Sequence, residues 1–325
     1  MSTYKEINGT AIEALSADPP NPQDGQVWYR TDLGIFKNQK QDAGGAWATG
    51  ADLNQDRLNS AGAGNNTAAV AFGDPIGRTE TYNGTNWTEV NDMNNGRQEL
   101  GGAGNVDTAA LAFGGNPPTS NETESWNGTN WTELNDMATA RYKLSGAGTS
   151  TAALAIAGLQ NTGAPATTEE LAITELWNGT NWTEVNDLNA ARFQLAAAGT
   201  STAALAFGGE NDAEDSNGLT ESWNGTNWTE VNDLNTARKS LGGFGATNTS
   251  ALAFGGQTPS DTTETELWNG TSWTQLAAQM NDRRYSMGSA GTTSNGLAFG
   301  GQIPNNTNTE EWNLPATVIE TITIE

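Results

Sequence analysis

Arginine and glutamate recur at matched positions along this chain, and these are the first residues whose types and spacing could do chemistry. The arginines are Arg57, Arg97, Arg141, Arg192, Arg238 and Arg283 or Arg284; the glutamates are Glu80, Glu124, Glu175, Glu221, Glu266 and Glu310. Brought together, the arginines could form a cationic ring for an anion, and two carboxylates could suit glycoside hydrolysis. No pair is singled out, because the acids recur symmetrically, as scaffold residues do. The simpler reading is structural: each Arg is partly buried, pairs with a Glu such as Glu124 and satisfies loop carbonyls. Arg97, Arg141, Arg192, Arg238 and Arg284 are assigned that role. The chain has no His and no Cys, so the commonest general base and metal ligand are missing and disulfides are impossible. No cofactor, no metal and no enzymatic activity are expected.

Three further patterns carry a chemical and a bland reading. Asn-Gly-Thr follows Tyr82, Trp126, Trp177, Trp223 and Trp268, and "NWT" starts at Asn86, Asn130, Asn181 and Asn227. Both fit an N-glycosylation acceptor. Asn-Gly is also the strongest short hairpin signal, and "MSTYKEINGTAIEALSADPP" has no signal-peptide core. Turn chemistry is preferred. Pairing Trp126 with Thr129 around Asn127-Gly128, or a slightly longer loop, puts Trp126 and Trp131 on one face. Asp212, Glu214 and Asp215 could bind Ca²⁺ but do not match the twelve-residue calcium loop, so a solvated loop is expected. Tryptophans can form sugar platforms, yet all but Trp28 occupy repeat positions and read as packing, Trp131, Trp182 and Trp228 among them.

These residues must be positioned by a repeat of about 45 residues, a propeller-like period. Each unit runs from Arg through an Ala/Gly-rich stretch to an apolar run such as "AALAFGG", then Glu-x-aromatic, then Asn-Trp. We read four short strands: a from Arg141 to Gly148, b the apolar run, c "TExW", d "TNWTEL". Alanine-rich runs could be helical, but flanking glycines and short lengths favour strands. Strand a is nearly all small residues, which suits a crowded central axis, and tryptophans fall on the wider outer strands. Five complete units run from Arg57 to about Thr274, and a sixth lacks its d-strand Trp. The orphan strand around Trp47 is expected to complete it. The fold class is all-β: a six-bladed β-propeller, its N-terminal strand closing the last blade, with a small N-terminal β extension.

The 325 residues carry a formal net charge of −24. Such a surface repels phosphate backbones and anionic lipid, so nucleic acid is not an expected partner. No apolar run is long enough for a transmembrane helix, so no membrane insertion is expected.

The repeats resemble kelch repeats, through Gly114-Gly115, Trp126, Trp131 and Arg141 and their counterparts over about residues 46–313. Gly73-Asp74 and Ala157-Gly158 depart from the Gly-Gly pair, and the third-to-fourth strand turn is shorter than usual for that family. Kelch-type oxidases use copper held by His and a Cys-linked Tyr, neither of which this chain can supply. The stretch "DPPNPQDGQVWYRTDLGIFK" resembles a β element near the N-termini of bacteriophage tail-fibre and appendage proteins, and the "WNGTNWTEVND" propeller resembles virion proteins of marine bacteriophages.

The resemblance implies a non-enzymatic virion structural protein of tail-fibre, appendage or decoration type, made in the host cytoplasm. Residues 1–45 would dock on other virion proteins through Trp28, Tyr29 and Phe36. Residues 46–313 would form the propeller, and 314–325 a C-terminal strand able to pair with the N-terminal element or a neighbouring subunit. A homo-oligomer in the assembly is expected. The b–c connections vary most, so they are the expected recognition residues for host polysaccharide or neighbouring subunits: Gln160, Asn161, Thr162 and Glu169 in the third unit, and Glu210, Asn211, Asp212, Glu214 and Asp215 in the fourth. The alternative is a freestanding glycan-binding lectin or propeller-type glycan-processing enzyme.

Overall fold

The computed structural model describes residues 12–19, 27–40, 45–163, 167–212, 215–302, 306–314 and 318–322. It divides into two compact units, residues 46–313 and the two chain ends (1–45 with 314–325). Every described element is a strand or a turn, with no helix among the described residues.

Residues 46–313 contain six four-stranded antiparallel sheets. Sheet 1 is Ala61–Asn65, Ala68–Phe72, Thr79–Tyr82 and Trp87–Glu89, and sheet 2 is Gly101–Val106, Ala109–Phe113, Thr123–Trp126 and Trp131–Glu133. Sheet 3 is Ser145–Thr149, Ala152–Asn161, Thr168–Trp177 and Trp182–Val185, and sheet 4 is Ala196–Thr200, Ala203–Phe207, Thr220–Trp223 and Trp228–Val231. Sheet 5 is Gly242–Thr247, Ser250–Phe254, Thr265–Trp268 and Trp273–Gln275. Sheet 6 takes Gly288–Gly291, Asn295–Phe299 and Thr309–Asn313 from late in the chain, and its outer strand is Ala46–Thr49, with Trp47 opposite Trp312.

Burial follows the strand chemistry. The second strands, such as Ala109–Phe113, are apolar without alternation because neighbouring sheets cover both faces. In sheets 1 to 4 the outer strands bury their Trp and expose the Thr-Glu that follows, which puts charge on an otherwise open edge. Each innermost strand touches those of its two neighbours, and the innermost strand of sheet 6 touches that of sheet 1. This repeated arrangement is consistent with a β-propeller.

Neighbouring sheets are fastened by the outer tryptophans. Trp131 Nε1 donates to Thr79 Oγ1 of the preceding sheet at 2.9 Å, and Trp182 and Trp228 donate likewise to Thr123 and Thr174. Trp273 to Thr220, Trp47 to Thr265 and Trp87 to Thr309 complete the circuit. A phenylalanine from the preceding sheet meets most of these rings edge-on, as Phe72 meets Trp131 with centroids 5.0 Å apart.

Of three local details, the first takes the longer of the two loops left open by the sequence, and the other two differ from the sequence reading. The c–d turn has four residues: Trp126 lies opposite Trp131, and Asn127 Oδ1 accepts from the amides of Thr129 and Asn130 at 2.9 Å each. The side-chain acceptor replaces a ladder bond, so the longer loop is stable. The innermost strand of sheet 3 begins at Ser145 rather than Arg141, because Lys143 sits at φ 54°, outside the β region. The third b–c connection is mostly not a loop. Its strands continue, with Gln160 opposite Glu169 and Asn161 opposite Thr168. A bulge at Ala157 allows this: Ala157 takes φ 60° where Gly114, at φ 68°, stands in sheet 2.

The chain ends form their own four-stranded sheet. Glu13–Leu15 runs parallel to Val27–Arg30, which pairs with Ile35–Lys40, which pairs with Val318–Ile322. Trp28 is fully buried and donates to Asp18 Oδ1 at 3.1 Å. Tyr29 stands opposite Phe36, ring centroids 4.9 Å apart.

The Trp47 strand is integral to sheet 6, so Trp47→Ala should cost about 3–5 kcal/mol in urea unfolding. A loss below about 1 kcal/mol would show that the strand is an accessory.

Candidate functional site

The recurring Arg and Glu meet inside each sheet. Arg97 Nη1 lies 2.6 Å from Glu124 Oε1, and Arg192 Nη1 lies 2.6 Å from Glu221 Oε1. Arg57–Glu80, Arg141–Glu175, Arg238–Glu266 and Arg284–Glu310 are 3.1, 3.3, 2.9 and 2.8 Å apart. All twelve groups are buried. The second oxygen of each Glu binds the loop that leads into the Arg: Glu124 Oε2 accepts from both the backbone and side-chain nitrogens of Asn94 at 2.8 Å. The Arg places some of its other donors on carbonyls, such as Arg97 Nε on Gly114 at 2.8 Å, while one guanidinium nitrogen of each, such as Arg97 Nη2, is buried with no hydrogen-bond partner among the described residues. Burial pulls the Arg141 guanidinium down to about 10, against the field of Glu175, so it stays charged at neutral pH. None of these guanidiniums is presented to an external anion.

Two residues beyond each Arg the chain does something less expected. Asn59, Glu99, Lys143, Gln194, Ser240 and Ser286 all take φ between 51° and 57°. Each donates its backbone N–H to the carbonyl of its counterpart in the preceding sheet, at 2.8 to 3.0 Å. Asn59 donates to Ser286, which closes the circle. Side-chain-bearing residues in this conformation cost on the order of 1–3 kcal/mol each and persist only where surrounding contacts enforce them. The circle rims a cavity of about 400 Å³ that continues between the innermost strands past Gly62, Gly102 and Gly146. Ser60 and Ser240 belong to its lining, their Oγ atoms buried and without a hydrogen-bond partner among the described residues.

The b–c connections lie beside this rim. In five of the six repeats the residue between the Arg and the rim residue bridges to a b–c segment: Gln98 to Asn116, Tyr142 to Leu159, Phe193 to Glu210, Lys239 to Gln257 and Tyr285 to Gln302. Lys143 Nζ stands 5.4 Å from the Phe193 ring centroid and 6.0 Å from that of Tyr142.

The structure separates the loop residues singled out from sequence into two groups. Gln160, Asn161, Thr162 and Glu169 sit at the end of the sheet 3 hairpin, where Asn161 Nδ2 reaches Thr119 Oγ1 and Thr162 Oγ1 meets Thr167 Oγ1. Glu210 and Asp215 converge on Lys239 Nζ at 2.8 and 2.7 Å. Asp212 is exposed and Asn211 half-buried, and Glu214 lies outside the described residues. Asp212 faces Glu170, the neighbour of the residue chosen from sequence. Burial first, then the charge of Asp212, pushes the Glu170 carboxyl up. Among the described residues no group of three His, Cys, Asp or Glu could hold a metal ion. The rim residues and Lys239 escaped the sequence reading. The available signal was their spacing, since each rim residue lies two after the repeated Arg and, in five of six repeats, directly before a Leu or Met.

In comparisons with known proteins, the solved structure of YjhT superimposes with a TM-score of 0.65, covering 84% of this chain and 99% of that one, at 12% identity. At that identity the likeness speaks to the fold alone. No protein-family model and no curated protein matches the chain.

Two outcomes follow. Glu124→Ala leaves Arg97 buried without its carboxylate and should cost about 3–5 kcal/mol in denaturant unfolding. Glu170 holds a proton more tightly folded than unfolded, so its contribution to stability is present in acid and lost as pH rises through its raised pKa. Glu170→Gln should therefore melt higher than the parent at about pH 7, with the gap closing by about pH 4.

Proposed function

We propose that this chain is a non-enzymatic structural protein of a bacteriophage virion, of tail-fibre, appendage or decoration type. Its six sheets are the blades of a kelch-like propeller that meets the host surface or a neighbouring subunit. One observation carries this reading. Both chain ends leave the sheets of 46–313 and pair with each other in a separate small unit, Ile35–Lys40 against Val318–Ile322. That division supports one body for docking and another for display. Trp28 is buried, so docking contacts fall to its half-buried neighbours Tyr29 and Phe36. The resemblance of the N-terminal stretch to phage appendage proteins supports virion proteins as the partner of this unit, in a homo-oligomeric assembly.

The repeated charged groups favour a non-catalytic role. Each Arg–Glu pair is enclosed in its own sheet, and no carboxylate is distinguished from its counterparts in the other sheets. Variation gathers at the b–c segments and the rim, which suits recognition of host polysaccharide.

The test compares the full chain with residues 46–313 for binding to purified virions and to host cells. Virion binding by the full chain alone, with cell binding retained by 46–313, is expected. Sugar turnover by 46–313 would favour a freestanding propeller enzyme and sink the proposal.

A further inference from the structure

We infer that the rim of the central cavity is a binding site for a neutral saccharide. The inference rests on the recognition reading above and names its ligand class and residues. The backbone circle demands positive φ at six positions, a demand glycine meets without strain. This chain has 39 glycines and uses them at most other positive-φ positions. At the rim it uses none. It places Asn59, Glu99, Lys143, Gln194, Ser240 and Ser286 there instead. Backbone geometry alone does not call for those side chains, and all six residues line the cavity.

Their chemistry is that of a carbohydrate site. Carboxamides and hydroxyls both donate and accept, as sugar hydroxyls do. Ser60 and Ser240 belong to the lining with their Oγ atoms buried, so ligand hydroxyls would meet the half-buried Asn59, Gln194 and Ser286. Tyr142 and Phe193 add half-buried rings beside Lys143, and Tyr285 holds the equivalent place in sheet 6. A few placed polar groups around a cavity of about 400 Å³, with these rings next to its rim rather than in its lining, fit a small ligand. Charge selects the class. Glu99 and Lys143 cancel within the rim, and Glu210 and Asp215 already engage Lys239. In a chain of net charge −24 no uncompensated cation is left there for an anionic sugar, so the site suits a neutral one.

The test applies the full chain to an array of neutral and acidic oligosaccharides. The best neutral binder is then titrated by calorimetry into the parent, Lys143→Gly, Gln194→Gly and Phe193→Ala. Glycine suits the rim backbone, so Lys143→Gly and Gln194→Gly should keep or raise the melting temperature. Each variant should weaken binding about tenfold or more. An array with no neutral binder, one with acidic binders only, or glycine variants that bind as the parent does would overturn the proposal. Host-cell adhesion measured in parallel separates the two readings: adhesion by parent and variants alike leaves recognition standing on the b–c segments while the rim site falls.

Discussion

Each sheet depends on one buried ion pair. Arg and Glu sit at opposite ends of a repeat, about 27 residues apart in sheet 2, and meet where neither is solvated. Burying two charges is expensive, and their attraction offsets that only if the remaining hydrogen-bonding capacity is also used. Here most of it is: Glu124 holds the backbone and side chain of Asn94, and Arg97 holds Gly114 and Asn95 carbonyls, with Arg97 Nη2 left buried without a partner among the described residues. The pair gives position more than stability. It ties the segment leading into each innermost strand to the third strand of the same sheet, so the backbone arrives at the axis in one place. The positive-φ residue two positions later is held by that constraint.

Fastening between sheets is a separate matter. A sheet whose second strand is apolar on both faces cannot stand alone, so each needs two neighbours. The Trp–Thr bonds and the backbone circle at the rim run the same course at two radii, one at the outer strands and one at the axis. Both close through the N-terminal strand or the segment that follows it, since Trp47 and Trp87 complete one and Asn59 the other. Asn127 spends its side-chain oxygen on the turn, and Asn130 accepts from Asn91 of the neighbouring sheet.

Much of this was legible because repetition made the chain its own ruler. Trp131, Trp182 and Trp228 marked the outer strands, and Arg97 with Glu124 marked a pair, because the same residue type at six matched positions meets the same environment. Single positions were harder. Whether Asn127-Gly128 makes a two- or four-residue turn depends on a side-chain acceptor competing with a ladder bond, and both loops keep Trp126 and Trp131 on one face. The sheet 3 hairpin was hidden by Ala157, whose strained φ is enforced by its surroundings.

By itself the sequence determined the all-β character, the repeat, the strand order within each unit and the absence of His and Cys chemistry, since these follow from composition and spacing. Only the tertiary structure decided which side chains share a face. Asn59, Glu99, Lys143, Gln194, Ser240 and Ser286 lie about 40 to 50 residues apart, as the repeat period implies, and differ in type from one repeat to the next. They become a rim because six backbones must meet at one axis, and convergence at an axis is a property of the closed arrangement rather than of any one repeat.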